Sequence, residues 1–166
     1  MRPLIVFCLL LFSKLGSSQC TYAADTLKVM LNKNIPGFIN SLSKEKLITK
    51  DSINNLPGIV KNTINCWIKD FSIASLNKPF EKTDAHHHIK LPNRQITYLG
   101  VGKHYVVLSY KIGGIALIDQ TLLFRFDNDK ILDFWGGHSE ELRNKRQVLQ
   151  YLRTIKGKMN TSDFIL

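Results

Sequence analysis

Apolar residues crowd the stretch from Arg94 to Trp135, and three turn signals cut it into four strand-like pieces. Gly102-Lys103 and Gly113-Gly114 read as two-residue hairpin turns, and Asp127-Asn128-Asp129 as a third turn. A two-residue loop at Gly113-Gly114 sets Ile112 opposite Ile115 and Tyr110 opposite Leu117. A three-residue loop at Asp127 to Asp129 sets Phe126 opposite Lys130, Phe124 opposite Leu132 and Leu122 opposite Phe134, with Asn128 or Asp129 left-handed. These registers divide the meander into two faces. One carries Tyr105, Val107, Ala116, Ile118, Leu122, Phe124, Phe126, Leu132 and Phe134. The other carries Val106, Leu108, Tyr110, Ile112, Ile115, Leu117 and Leu123 together with Asp119, Thr121, Arg125, Asp133 and Trp135. Both faces are apolar, whereas a sheet with one wet face alternates cleanly. Both should therefore be covered, one by N-terminal helices and the other by a C-terminal helix, a second subunit or an enclosed cavity.

The rest of the chain has helical spacing. Asp25 to Asn32 is a short candidate, Pro36-Gly37 reads as an interruption, and Ser43 and Thr49 read as caps of short helices. Pro57 suits a first helical turn. Ile59, Val60, Ile64, Trp67, Ile68 and Phe71 form an apolar stripe after it. Ser139 reads as the cap of a last helix with Glu140 and Glu141 in its first turn and Leu142, Leu149, Leu152 and Ile155 on its apolar face. The predicted class is α+β: N-terminal helices packed on a curved antiparallel meander, followed by a C-terminal helix, in one domain over residues 25–158.

The start of the chain sets the expected compartment. Met1-Arg2-Pro3, nine apolar residues from Leu4 to Phe12, and Gly16-Ser17-Ser18 have the layout of a secretory leader covering residues 1–18. Nine apolar residues fall well short of the roughly 20 that a membrane-spanning helix needs. Gln19 before Cys20 is too large for a lipoprotein cleavage site, so the expected product is secreted or periplasmic rather than lipid-anchored at Cys20. Export permits a disulfide between Cys20 and Cys66. Asn160-Thr161-Ser162 has the form of a glycan acceptor in a eukaryotic secretory pathway.

Charge adds a partner class. The chain carries 23 Lys and Arg against 13 Asp and Glu, a formal net charge of +10. Its densest basic group includes Arg143, Lys145 and Arg146. A basic helix face is ordinarily solvated, and here its alternative use is contact with an anionic envelope surface. Export argues against nucleic acid as a partner. Asp84, His86 and His88 would point the same way from an extended segment, as zinc ligands could. No Gly-rich phosphate loop, paired CxxC or nucleophile elbow occurs, so no cofactor is implied.

The run Phe124-Arg125-Phe126, the acidic turn Asp127 to Lys130, and the strand Ile131 to Trp135 resemble the closing strands of the nuclear transport factor 2-like, or SnoaL-like, cone fold. The resemblance covers residues 94–135; the helix after Ser139 departs from the family's minimal pattern. It implies a curved sheet around a pocket, often in a dimer. It leaves open whether the chain binds a small apolar ligand or a protein partner without catalysis, or is an isomerase- or dehydratase-like enzyme with Asp119, Asp133 or His104 as base. Asp119, Arg125, Asp133 and Trp135 are the expected pocket residues.

Overall fold

The computed structural model describes residue 20, residues 22–83 and residues 91–160. In chain order the elements are α1 (Thr26–Met30), α2 (Ile35–Lys44), β1 (Ile48–Lys50), α3 (Gly58–Trp67), β2 (Arg94–Val101), β3 (Tyr105–Ile112), β4 (Ile118–Asp127), β5 (Lys130–His138) and α4 (Lys145–Ile155). The five strands form one antiparallel sheet in the order β1-β2-β3-β4-β5. The α+β class and the C-terminal helix are as expected.

Local chemistry explains most element boundaries. Asp25 caps α1 by accepting a hydrogen bond from the Lys28 backbone N–H at 3.0 Å. Pro36-Gly37 does not interrupt anything: Pro36 sits in the first turn of α2, where its missing N–H costs nothing. Ser43 lies in the last turn of α2 and Thr49 lies in β1, so neither is a helix cap. Pro57 flanks α3 as expected, but that helix ends at Trp67 and Phe71 lies beyond it. Helix α4 starts later than the pattern from Ser139 suggests. Asn144 is its cap, extended at φ −163° and accepting from the Gln147 N–H at 3.0 Å, which leaves Glu140 and Glu141 outside the helix.

The hairpins depart from the expected registers, each for a packing reason. Gly113 and Gly114 do not form a two-residue turn. Ile112 pairs with Ile118 and Tyr110 with Gln120, so residues 113–117 make a longer loop. The glycines serve close approach instead. A Cβ at Gly113 would collide with the Glu81 carbonyl oxygen. The Gly113 and Gly114 N–H groups bond to the Asn93 and Lys82 carbonyls. Gly102-Lys103 is likewise not a two-residue turn, since Val101 pairs with Val106. The Glu45 carboxylate accepts from the N–H groups of Lys103 and His104, and it occupies the space a Cβ at Gly102 would need. The last turn is shorter than expected. Asp127 pairs with Lys130 across Asn128-Asp129, and Asn128 takes the left-handed conformation at φ 48°. A bulge at Leu132 then restores the aromatic pairing by setting Phe124 opposite Phe134 rather than opposite Leu132.

These registers correct the expected faces. From Arg125–Asp133 to Gln120–His138 the pairings of β4 with β5 differ from the expected ones by two positions, so the face assignments there survive. On the turn side of the bulge the difference is one, which sets the buried Ile131 opposite Phe126 and leaves Leu132, expected on the aromatic face, 47% exposed. The pairing of β3 with β4 differs by three, which turns β3 over. Val106, Leu108, Tyr110 and Ile112 therefore share a face with Leu122, Phe124 and Phe134, while Tyr105 and Val107 share the other with Leu123, Arg125, Asp133 and Trp135. Both faces are covered. Trp67 at the end of α3 packs against Phe124 and Phe134, with Phe71 edge-on to Tyr110. On the opposite face Phe38 of α2 meets Tyr105, and Tyr151 of α4 meets Trp135. The face bearing Trp135 is thus roofed by α2 and the C-terminal helix. Cys20 and Cys66 are joined by a disulfide, and Trp67 Nε1 donates to the Tyr22 carbonyl at 3.2 Å, so the segment before α1 is tied to α3.

Candidate functional site

The four expected pocket residues do not converge. Asp119 and Arg125 lie six positions apart on β4, roughly 20 Å at the rise of a strand. Arg125 is exposed near the β4–β5 turn. Asp133 is its direct cross-strand neighbour, but the Asp133 carboxylate is engaged from the other side: Lys28 Nζ lies 2.8 Å away and Asn34 Nδ2 donates at 3.2 Å. Trp135 is fully buried, and its Nε1 donates to Asn32 Oδ1 at 2.7 Å. It is a core residue. His104 belongs to the same end of the sheet as Arg125, where its Nδ1 lies 3.7 Å from Asp127 in an exposed pair. Asp84, His86 and His88 lie outside the described residues. Among the described residues no group of three or more His, Cys, Asp and Glu is placed to hold a metal ion, and no helix is long and apolar enough to cross a membrane.

Asp119 is the one candidate with an acid's perturbed chemistry. Burial pushes its carboxyl above the usual range and Glu141 adds to the rise, while Lys111 opposes it. Its Oδ1 is buried without a hydrogen-bond partner. Lys111, its cross-strand neighbour, is drawn 2.7 Å from Glu141 instead. That hydrogen bond, with Arg143 also beside Glu141, holds the Glu141 carboxyl below its usual range. A carboxylate whose folded pKa is raised binds its proton more tightly in the folded state. Its contribution is favourable below the unfolded carboxyl range and is lost as pH rises through the folded value. Asp119→Asn should therefore flatten the decline of stability over that acid window and leave stability at pH 7 unchanged or higher. Urea midpoints measured from pH 4 to 7 check this; a large loss at pH 7 would show that the ionised carboxylate is needed for folding.

A polar cleft of about 290 Å³ opens beside α4, lined by Asn32, His138, Ser139, Tyr151, Ile155, Met159 and Asn160. The sequence pattern marked Ser139 as a helix cap, Ile155 as part of an apolar face and Asn160 as a glycan acceptor, but nothing in it brought these residues together with His138, Tyr151 and Met159. A ladder of hydroxyls leads into this cleft from the core: Ser109 Oγ is 2.8 Å from Thr121 Oγ1, which is 3.0 Å from Ser139 Oγ. The lining amides have structural duties. The outward carbonyls of the edge strand β5 recur at alternate residues, and side chains meet three of them, over its second half. Asn34 donates to Phe134, Asn160 to Gly136, and the Tyr151 hydroxyl to His138. This part of the edge is thereby covered against strand addition. It also commits the Asn160 amide of the glycan-acceptor triplet to the sheet.

Two of the three basic residues around the start of α4 are similarly engaged. Lys145 Nζ donates to the carbonyls of Ser43 and Glu45 at 3.2 and 2.6 Å, capping the end of α2. Arg143 Nε donates to Glu141 at 2.8 Å. Arg146 is exposed. The clearest unsatisfied surface is apolar. At the β3–β4 tip Ile115 is 100% exposed, Leu117 54% and Ile118 38%. No family model, curated protein or solved structure matches this chain.

Proposed function

We propose that the chain is an exported, non-catalytic binding domain of the cone-shaped α+β type, working through its exterior rather than through a pocket in the cone. The observation that carries this reading is the fate of the expected pocket residues. Trp135 is buried with its N–H satisfied, Asp133 is bound to Lys28 and Asn34, and Asp119 and Arg125 stand at opposite ends of β4. The interior between sheet and helices is occupied by Trp67, Phe124, Phe134 and Tyr110, which leaves a small apolar ligand little room there. The Cys20–Cys66 disulfide supports export, because such bonds persist in oxidising compartments. It also argues against a lipid anchor, since the Cys20 sulfur cannot carry a thioether and a disulfide together.

Expression with the leader intact tests the compartment. Recovery of an exported chain lacking residues 1–18 and without a reactive Cys20 or Cys66 is the expected result; a full-length chain with both thiols reactive overturns it. The rival reading, an isomerase- or dehydratase-like enzyme, draws on Asp119, whose raised pKa is of the kind that marks catalytic acids. Turnover that vanishes in Asp119→Asn while the fold persists would establish the enzyme and remove the non-catalytic reading.

A further inference from the structure

Large apolar side chains are gathered on the outside at two places among the described residues: along α1, with Leu27, Met30 and Leu31, and at the tip of the β3–β4 hairpin, which carries the most exposed of them. From Ile112 to Ile118 the chain reads IGGIALI, seven residues with no polar side chain. Ile115 is completely exposed, so nothing in the described fold explains an isoleucine there. Leu117 and Ile118 continue the patch.

The loop backbone is nevertheless held. The Gly113 N–H donates to Asn93 O at 2.8 Å and the Gly114 N–H to Lys82 O at 3.2 Å. The 80–83 segment crowds Gly113 closely enough that no Cβ fits. Gly114 has φ 150°, a conformation L side chains rarely adopt. The two glycines thus dock the base of the loop and aim its aliphatic side chains outward. With both N–H groups already bonded, less unsatisfied backbone has to leave water when the tip is buried.

We propose that this tip inserts into the surface of an anionic lipid bilayer. Its composition favours lipid over a protein partner. Protein hot spots are enriched in Trp, Tyr and Arg and depleted in Leu, whereas this tip offers only aliphatic groups on a convex turn. A fluid acyl layer needs no matching shape. The charge of the chain supplies the second attraction. Its formal +10 falls to an excess of eight once Arg2 and Lys14 leave with the leader, and an anionic leaflet attracts such a chain over a Debye length. A shallow apolar tip alone binds weakly, and membrane association generally needs two such signals together. The inference rests on the reading that the chain is exported and acts through its exterior.

Sedimentation of the exported chain with vesicles tests it. Vesicles of phosphatidylglycerol and phosphatidylcholine should retain the protein, added salt should release it, and pure phosphatidylcholine should bind it poorly. Each aliphatic side chain withdrawn from the bilayer should weaken the partition coefficient roughly tenfold, so Ile115→Ser with Leu117→Ser should all but abolish binding. Ile115 is fully exposed, so the variant should keep its disulfide and thermal midpoint. In Ile115→Trp the new indole should shift its emission to the blue on adding anionic vesicles. Undiminished binding by the double variant, an unshifted indole in Ile115→Trp, or equal binding to neutral vesicles overturns the inference. An exported, disulfide-bonded chain that ignores both vesicle types sinks it while leaving the functional reading in place.

Discussion

Replacing Asn32 by Ala is expected to destabilise the protein by about 4 kcal/mol, among the largest effects of any single polar substitution in the fold. Asn32 is 3% exposed and joins three elements through one amide. Its Oδ1 accepts from Trp135 Nε1 at 2.7 Å, and its Nδ2 donates to the carbonyls of Ile155 and Lys158 at 3.2 and 3.0 Å. Alanine leaves the buried indole N–H without an acceptor and removes a donor from the last turn of α4. Each stranded buried group costs about 1–3 kcal/mol. The backbone adds to this. Asn32 has φ 51°, in the left-handed region that Asn tolerates and Ala does not, a difference of about 1 kcal/mol. Asn32→Gly separates the two contributions, because glycine accepts the backbone and still lacks the amide. Urea unfolding followed by tryptophan fluorescence should place the glycine variant between the wild type and the alanine variant. Equal midpoints for all three would show that water replaces the amide without cost.

Asn32 also illustrates what periodicity and motif do and do not reveal. Apolar spacing identified α3 after Pro57, the apolar face of α4, and the strands from Arg94 onward, because those patterns are local. The β4 and β5 faces beyond the bulge at Leu132 were legible too, because an error of two in register keeps each residue on its face. The β3 face was not. Gly113-Gly114 has the chemistry of a tight turn and the chemistry of a close approach, and only the 80–83 segment packed against it decides between them. The candidate site failed on partners distant in sequence. Lys28 reaches Asp133 across 105 positions and Asn32 reaches Trp135 across 103, and no local signal announces either contact. An acidic residue beside an arginine on adjacent strands looks like a site when the residue that neutralises it is unseen. Conversely, Ile115 and Leu117 look like strand core in alternation, and the longer loop puts them outside.

Reducing the Cys20–Cys66 disulfide should cost about 4 kcal/mol and lower the thermal midpoint by roughly 10–15 °C. The bond closes a loop of 46 residues, and chain entropy alone assigns about that penalty to reopening it in the unfolded state. Its position makes the folded-state consequence specific. Cys66 precedes Trp67, whose ring stacks on Phe124 and meets Phe134 edge-on, so α3 remains anchored to the sheet without the bond. The segment before α1 is less well held. Without the disulfide it keeps the Trp67 Nε1 bond to Tyr22 O and the contact between the Tyr22 and Trp67 rings. Loss of the bond should therefore show first as freedom around Tyr22, with fast hydrogen exchange and proteolysis near residues 20–25, and only at higher temperature as unfolding of the sheet. Melting in the presence and absence of dithiothreitol measures the total, and a Cys20→Ser, Cys66→Ala double variant separates the missing bond from reductant effects. A shift under about 3 °C in both would mean that noncovalent contacts already close this loop in the unfolded ensemble, and the bond would then matter as a mark of compartment rather than as a source of stability.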